Sequence, residues 1–391
     1  MTNGDRRALV RRAFEDLGRG DSSTFAALLA PDVVYRVIGT TAVSGVMRGT
    51  EEVVRRLIGP LAGALATPLA IRVDRLAVEG DVVTVEGEGT ATLRSGAPYD
   101  NTYCFVFRFA GDRVAEVTEY LDTHLVTRAF AVPADEASLL RRMDLNMWAM
   151  YADFARVVPG GEVWEPAGLT LVRHPRGNFF TNAVMVREAV ELPAVALAAR
   201  EFYGRHGAPH AVWTRDHADR RLADALAAQG FHEAFSLPGM VLLGDRGTAP
   251  RPPELAIRPV IDDAGRRDYL EVTAEAYAVY GQQRETAEDA FASLESVCAP
   301  HVQGFVGYVE GRPVAAALAY VSHGVAGIGW VGVVSNARGK GYAAAVTWAA
   351  VREGFRRGGA FANLQASPMG RPVYETMGFA TPTHYRVWMP S

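Results

Sequence analysis

A chain of 391 residues exceeds the usual size of one domain and can bury more than one core. Its 40 Lys and Arg against 44 Asp and Glu leave a net charge of −4, and no block of five or more like charges occurs, which excludes a general attraction to nucleic acid or to an anionic membrane. Only two cysteines, Cys104 and Cys298, stand far apart, which excludes a disulfide framework and a cysteine metal site.

The first residues, Met1 to Arg7, carry charges with no apolar stretch behind them, and no run of 18 apolar residues occurs, so a soluble cytoplasmic protein is expected. Residues 5–18 place Leu9, Val10, Ala13, Phe14 and Leu17 at helical spacing, the stretch from Gly18 to Ser23 breaks that helix, and Phe25 to Leu29 starts another. A further helix is expected from Glu51 to Leu65. The pattern then turns to period two: Ala70–Leu76, Val82–Glu88, Thr90–Leu93, Thr102–Phe109 and Arg113–Tyr120 read as strands. Helices followed by a long antiparallel sheet describe an α+β cone whose helices close one mouth. The phrases Leu29-Ala30-Pro31-Asp32-Val33-Val34-Tyr35, Met47-Arg48-Gly49-Thr50, Tyr103-Cys104-Phe105-Val106-Phe107 and Arg113 to Thr123 resemble the SnoaL-like branch of the nuclear-transport-factor-2-like superfamily. The resemblance covers about residues 5–130, and the first domain is drawn at 1–130.

A break at Ala131 to Asp135 and a linker at Gly244 to Pro253 frame a middle segment, 136–245. It reads as an apolar helix at Pro193–Arg205, a strand at His210–Thr214, a helix at Ala218–Ala228 and then Gly230-Phe231. The nine histidines are scattered; the close pair, His206 and His210, flanks Gly207-Ala208-Pro209, which cannot be helical, so no metal is expected.

The last segment, 254–391, holds the most informative stretch. Ala315–Tyr320 and Ile328–Val334 read as two strands joined by a turn, and Ser335-Asn336-Ala337-Arg338-Gly339-Lys340-Gly341 leads into a helix from Tyr342 to about Arg357, which stops at Gly358-Gly359. Gly339 and Gly341 let the backbone turn sharply and present successive N–H groups to an anion at a helix start. The spacing fits neither a Walker loop nor a dinucleotide fingerprint. A strand at Phe361–Gln365, a short helix at Arg371–Glu375 and the ending Tyr374-Glu375-Thr376-Met377-Gly378-Phe379 follow.

Arg338-x-x-Gly341-x-Ala343 resembles the acyl-CoA pyrophosphate loop of the GNAT acetyltransferase superfamily. Tyr374-x-x-x-Gly378-Phe379, 36 residues after Arg338 (374 − 338), is similar to that superfamily's second acyl-CoA motif. Setting Gly230-Phe231 on Gly378-Phe379 puts Leu226 where Tyr374 stands, so the middle segment reads as a GNAT-like half that has lost its phenol, its glycine loop and, with two acids before its helix, its anion site. A plain α/β domain of other origin is the alternative. The expected fold is therefore α+β: a SnoaL-like cone followed by two GNAT-like α/β domains, 136–245 and 254–391.

The resemblance implies acetyl-CoA or another acyl-CoA as cofactor and a small-molecule amine as acceptor. It assigns the pyrophosphate to the amides of Gly339, Lys340, Gly341, Tyr342 and Ala343 with Arg338 as charge partner, and the pantetheine arm to the backbone of Val333 and Val334. Asn363 and Ser367 fall near the thiol, and Tyr374 is the general acid; the bland reading of Tyr374 is a helix-packing ring, and of Asn363 and Ser367 ordinary strand-end residues. No acid lies on Ile328–Val334, so proton removal is left to water with Glu285 or His323, or to an amine that arrives neutral. Tyr277, Tyr280, Trp330 and Tyr320 are aromatic and suit either an acceptor slot or the core.

In the cone, Asp122 matches by position the pocket acid of the cyclase members, with Tyr35, Tyr120 and His124 as neighbours; Asp122 equally suits a sheet end or an interface. Asp100 sits in a polar turn. The resulting expectation is an N-acyltransferase whose cone binds or modifies the same metabolite. The alternative is a cone that works as cyclase, isomerase or lyase on a carbonyl metabolite while the GNAT part only binds acyl-CoA. The open sheet face of the cone admits a homodimer.

Overall fold

A computed structural model describes residues 2–39, 41, 43–133, 135–179, 181–245, 250 and 252–390. The linker expected at 244–253 therefore lies partly outside the described residues. The chain forms two compact units, Met1–Asp135 and Glu136–Ser391, and the fold is α+β in both.

In the first unit α1 (Asn3–Gly18) starts from a reciprocal cap between Thr2 and Asp5 and buries Val10, Ala13 and Phe14. α2 (Ser23–Leu28) leads into β1 (Leu29–Val37) and β2 (Gly45–Arg48), a pair that the sequence reading did not draw as strands. The helix expected at 51–65 is built from α3 (Thr50–Val53), a π-helical turn at Val54–Ile58, and α4 (Gly59–Ala64). Then come β3 (Ala70–Glu79), β4 (Val82–Thr90), β5 (Asn101–Ala110), β6 (Arg113–Leu121) and α5 (Thr123–Phe130). Thr90–Leu93 is not a strand of its own: Thr90 ends β4, and Thr92 and Leu93 make isolated bridges.

The six strands form one sheet in the order β2-β1-β6-β5-β4-β3, in which β1 runs parallel to β6 and the other neighbours are antiparallel. Alternation sets the faces. Along β5 the inward residues are Tyr103, Phe105 and Phe107, whose rings stack 5.3 and 5.8 Å apart under Phe14 and Phe25.

The second unit opens with a long helix the sequence reading missed, α6 (Glu136–Val157). β7 (Glu162–Trp164), β8 (Leu169–Arg173), β9 (Ala183–Val186), α7 (Leu192–Tyr203), β10 (Ala211–Arg215), α8 (Arg220–Ala228) and β11 (His232–Leu242) complete the middle segment. The last segment runs β12 (Ala256–Pro259), α9 (Asp263–Ala278), α10 (Arg284–Ala290), β13 (Cys298–Ala299), β14 (Val302–Val309), β15 (Arg312–Ser322), β16 (Val325–Val333), α11 (Tyr342–Arg356), β17 (Phe361–Gln365), α12 (Arg371–Thr376) and β18 (Ala380–Met389).

All twelve of these strands share one sheet, ordered β12-β14-β15-β16-β17-β11-β18-β10-β9-β8-β7 with β13 beside β14. The segments drawn at 136–245 and 254–391 thus exchange strands: β11 pairs with both β17 and β18, and β18 in turn pairs with β10.

α6 crosses this sheet and is fixed at two points. Asn146 donates its amide to the carbonyls of Tyr320, Ser322 and Val325 over Gly327, where a Cβ would lie 2.2 Å from the Asn146 oxygen. Two residues earlier, buried Asp144 accepts from Arg215 (2.9 Å) and Tyr385 (2.8 Å), and Arg215 donates two further bonds to Asp219. Helix α6, strand β10 and strand β18 are thereby held by one buried charge cluster.

Candidate functional site

The strand β16 creates the site by leaving its neighbour. It pairs in parallel with β17 only at Val325–Gly327, opposite Phe361–Asn363, while its remaining length to Val333 keeps β15 alone as partner. A bulge interrupts that second ladder between Gly329 and Gly332, where Trp330 takes φ of 50°. β16 and β17 therefore part, and a cleft of about 410 Å³ opens beside Val331–Val333.

The loop after β16 closes one end of the cleft. Gly339 and Gly341 both adopt left-handed backbone, φ 77° and 79°, and Gly341 is the cap of α11, whose first amides have no carbonyl a turn back to bond. Arg338, Gly339, Gly341, Tyr342 and Ala343 line the cleft. Arg338 donates from Nε to the Val333 carbonyl at 3.3 Å, which ties the loop to the strand end. Nothing lies within 4 Å of a Cβ placed at Gly339, so that flank is open to a ligand.

The opposite wall is α12 and the end of α9. Tyr374 is buried on α12 and lines the cleft; its ring fits because position 370 is glycine, where a Cβ would stand 2.9 Å from Cε2. Burial, and secondarily the nearby Tyr280, raise its pKa, so the phenol stays protonated and is a hydrogen-bond donor across the neutral range. Tyr280 donates to Ser367 at 2.8 Å, and both line the cleft with Tyr277.

Of the eleven residues that the resemblance assigns to the acyl-CoA, Val333, Arg338, Gly339, Gly341, Tyr342, Ala343, Ser367 and Tyr374 line this one cleft. Lys340 is exposed at the tip of the loop between its two glycines. Val334 has turned to another face, where it lines a shallow hollow with Glu271 and Arg284. Asn363 is elsewhere too. It is 1% exposed in the paired part of β17, and its amide donates to the Met143 carbonyl on α6 at 3.1 Å.

The cleft wall contains no carboxylate or imidazole among the described residues. Glu285 is exposed on α10, and His323 lies in the β15–β16 turn, at the opposite end of β16 from the loop. Tyr320 faces a different hollow and donates to Asp153. Trp330 packs on Phe291 (4.9 Å), Tyr277 (5.1 Å) and Phe154 (6.2 Å) and is core to the bulge.

The middle segment repeats the geometry without the site. Phe231 N donates to the Leu226 carbonyl at 3.0 Å as Phe379 N does to that of Tyr374, and Gly230 and Gly378 take φ of 85° and 93°. Leu226 and Tyr374 thus occupy the same place in two copies of one helix ending. The helix matching α11 is α7, yet its cap, Glu191, has extended backbone at φ −89° followed by Pro193 rather than a left-handed glycine.

The first unit contains a second cavity, about 310 Å³, lined by Phe14, Phe25, Leu61, Tyr35, Tyr103 and Phe105 among others. Its acid is not Asp122. Asp122 is exposed past the end of β6 and caps α5, accepting from Leu125 N at 3.0 Å. Tyr120 is 47% exposed and His124 is exposed, both outside the cavity. The acid in the cavity is Glu119, 6% exposed, which accepts a hydrogen bond from Tyr35 at 2.7 Å. Burial pushes its carboxyl up to about 7, partly opposed by the Tyr35 bond. Alternation from Val117 along β6, past the bulge that follows Val114, turns Glu119 inward and Tyr120 outward.

Comparison with known proteins follows this division. Residues 10–117 match the SnoaL-like domain, and residues 267–379 match the acetyltransferase (GNAT) family. The chain thus carries a SnoaL-like domain on its N-terminal side and a GNAT acetyltransferase domain in its last segment. Among curated proteins, the uncharacterized protein Rv0034 of Mycobacterium tuberculosis (strain ATCC 25618 / H37Rv) and the uncharacterized protein Mb0035 of Mycobacterium bovis are each 31% identical over 131 residues, 33% of this chain and 98% of theirs. Among solved structures, a GCN5-related N-acetyltransferase from Kribbella flavida shares the fold, with 16% identity and a TM-score of 0.51 over 63% of this chain and 95% of that one.

Proposed function

We propose that the protein transfers an acyl group, with acetyl-CoA as the first donor to test, to the nitrogen of a small-molecule amine in the cytoplasm, and that its SnoaL-like domain binds or modifies the same metabolite. The observation that carries this reading is the cleft where β16 leaves β17, with Arg338 and the 339–343 amides at one end and Tyr374 on the wall. The amides and Arg338 would hold the pyrophosphate, and the unpaired side of β16 at Val331–Val333 would receive the pantetheine amides as a strand would.

Transfer then needs a nitrogen lone pair on the thioester carbon and relief of the thiolate that leaves. Tyr374, protonated and buried, supplies a hydrogen bond to that sulfur. With no base on the cleft wall, the amine enters neutral and sheds its proton to water. The two motif segments, 338–343 and 374–379, are the parts of 254–391 that serve as the catalytic domain, and 136–245 serves as its non-catalytic counterpart. Release of free CoA thiol, followed across a panel of small amines, tests the assignment; a panel that yields no amine-dependent thiol argues against it.

The second reading makes the cone the catalyst on a carbonyl metabolite. Buried Glu119, in place of Asp122, is the one observation in its favour, since a carboxyl near neutrality suits proton abstraction. Turnover that survives Tyr374→Phe and is lost in Glu119→Gln would select it.

A further inference from the structure

The cavity of the first unit has a one-sided chemistry. Its wall is aromatic and aliphatic except for Ser22, Tyr35, Thr67, Tyr103 and Glu119, and no Lys, Arg or His lines it among the described residues. An anionic ligand would meet a buried acid and no cation, and a polyhydroxylated one would leave most of its groups unpaired. Both phenol protons near the acid are already placed: Tyr35 donates to Glu119 at 2.7 Å and Tyr103 to Tyr99 at 3.4 Å. What the described wall lacks is a cation to pair with the carboxylate. Phe14, Tyr103 and Phe105 line the space, and aromatic rings favour positive charge over negative.

We propose that this cavity is a binding site for an apolar amine, its nitrogen held as an ammonium by Glu119 and its hydrocarbon body packed between Phe14, Phe105 and the Leu61–Leu69 side. A neutral amine that enters takes the proton from the Glu119 carboxyl, so that the ammonium and the carboxylate form together and the complex gains no net charge. The carboxyl near neutrality agrees with this, because burial raises it and an adjacent cation would draw it back toward its ordinary range. The inference rests on the reading of the cone as a binder of the acceptor amine, and it narrows that acceptor to an amine on an apolar skeleton.

The test is calorimetry on the full chain without any acyl-CoA, with three probes of one skeleton: phenethylamine, phenethyl alcohol and phenylacetate. The amine is expected to bind about tenfold or more tighter than the alcohol, a difference that Glu119→Gln abolishes and Tyr35→Phe preserves. Phenylacetate is expected to give no heat. An alcohol that binds as well as the amine, amine binding that Glu119→Gln leaves unchanged, or silence from all three would overturn the proposal. Because no acyl-CoA is present, such a failure leaves the acyltransferase reading standing, and loss of acetyl-CoA binding at 338–343 would leave this one standing.

Discussion

At the scale of single residues, Tyr374 and Glu119 are two buried protic groups whose pKa values are both raised by burial. Tyr374→Phe removes only the hydroxyl from a ring that packs beside Phe379, so the fold and acetyl-CoA affinity should be kept while kcat falls about a hundredfold, as steady-state thiol release would report. With no carboxylate or imidazole on the cleft wall, kcat/KM should rise about tenfold per pH unit up to the amine's own pKa, with no inflection near a histidine. Glu119 gives a stability signature instead. Its carboxyl titrates at about 7 when folded against an ordinary 4.5, so the folded state keeps a proton that the unfolded chain releases in that interval. Stability is therefore full below about pH 4.5, falls by on the order of 3 kcal/mol as pH rises through 7, and is flat above. Urea unfolding of the intact protein across that range should show the slope, and Glu119→Gln should remove it.

These residues were unequally legible. Gly339 and Gly341 follow from a turn into a helix that demands left-handed backbone and Tyr374 from the resemblance of its motif, and the three line one cleft. Asp122 was placed by likeness to a position, yet it lies beyond the strand, where the chain has left the inward–outward alternation that governs Glu119. Asn363 was assigned to the cofactor thiol because α6, the helix that takes its amide, had not been recognised.

At the scale of elements, the strands and helices drawn between Ala315 and Glu375 fell close to their expected places because each ends on glycine or a turn with mandatory backbone, whereas α9, α10, β12, β13, β14 and β18 were not drawn. α6 was missed. Its buried face includes Asp144 and Asn146, which break the apolar period and mark the points where it bonds to other elements. That cluster has a measurable consequence: Arg215→Met would leave Asp144 and Asp219 buried without their cation and should cost about 3–5 kcal/mol, read as a lowered urea midpoint for the second unit.

At the scale of the whole molecule, the exchange of strands joins the halves that sequence reading separated. Pattern within a segment does not reveal which edge it pairs with, so a repeat can be legible while its intertwining is not. β18 lies between β11 and β10, and removing 380–391 should therefore loosen the middle segment as well as the last, seen as lost amide protection in 211–215 and 232–242. No described helix is long and apolar enough to cross a membrane, and no three described His, Cys, Asp or Glu side chains gather as a metal site.

The central claim is that the 338–343 loop holds the pyrophosphate of an acyl-CoA. Calorimetry of acetyl-CoA binding to the intact protein and to a Gly339→Glu, Gly341→Glu double variant tests it directly. A Cβ at position 339 meets nothing and one at 341 only Pro250 at 3.9 Å, so the fold should tolerate the change at the cost of left-handed backbone. Micromolar binding by the intact protein that the variant abolishes is the predicted result. Equal binding by both proteins, or none by the intact one, would contradict the account.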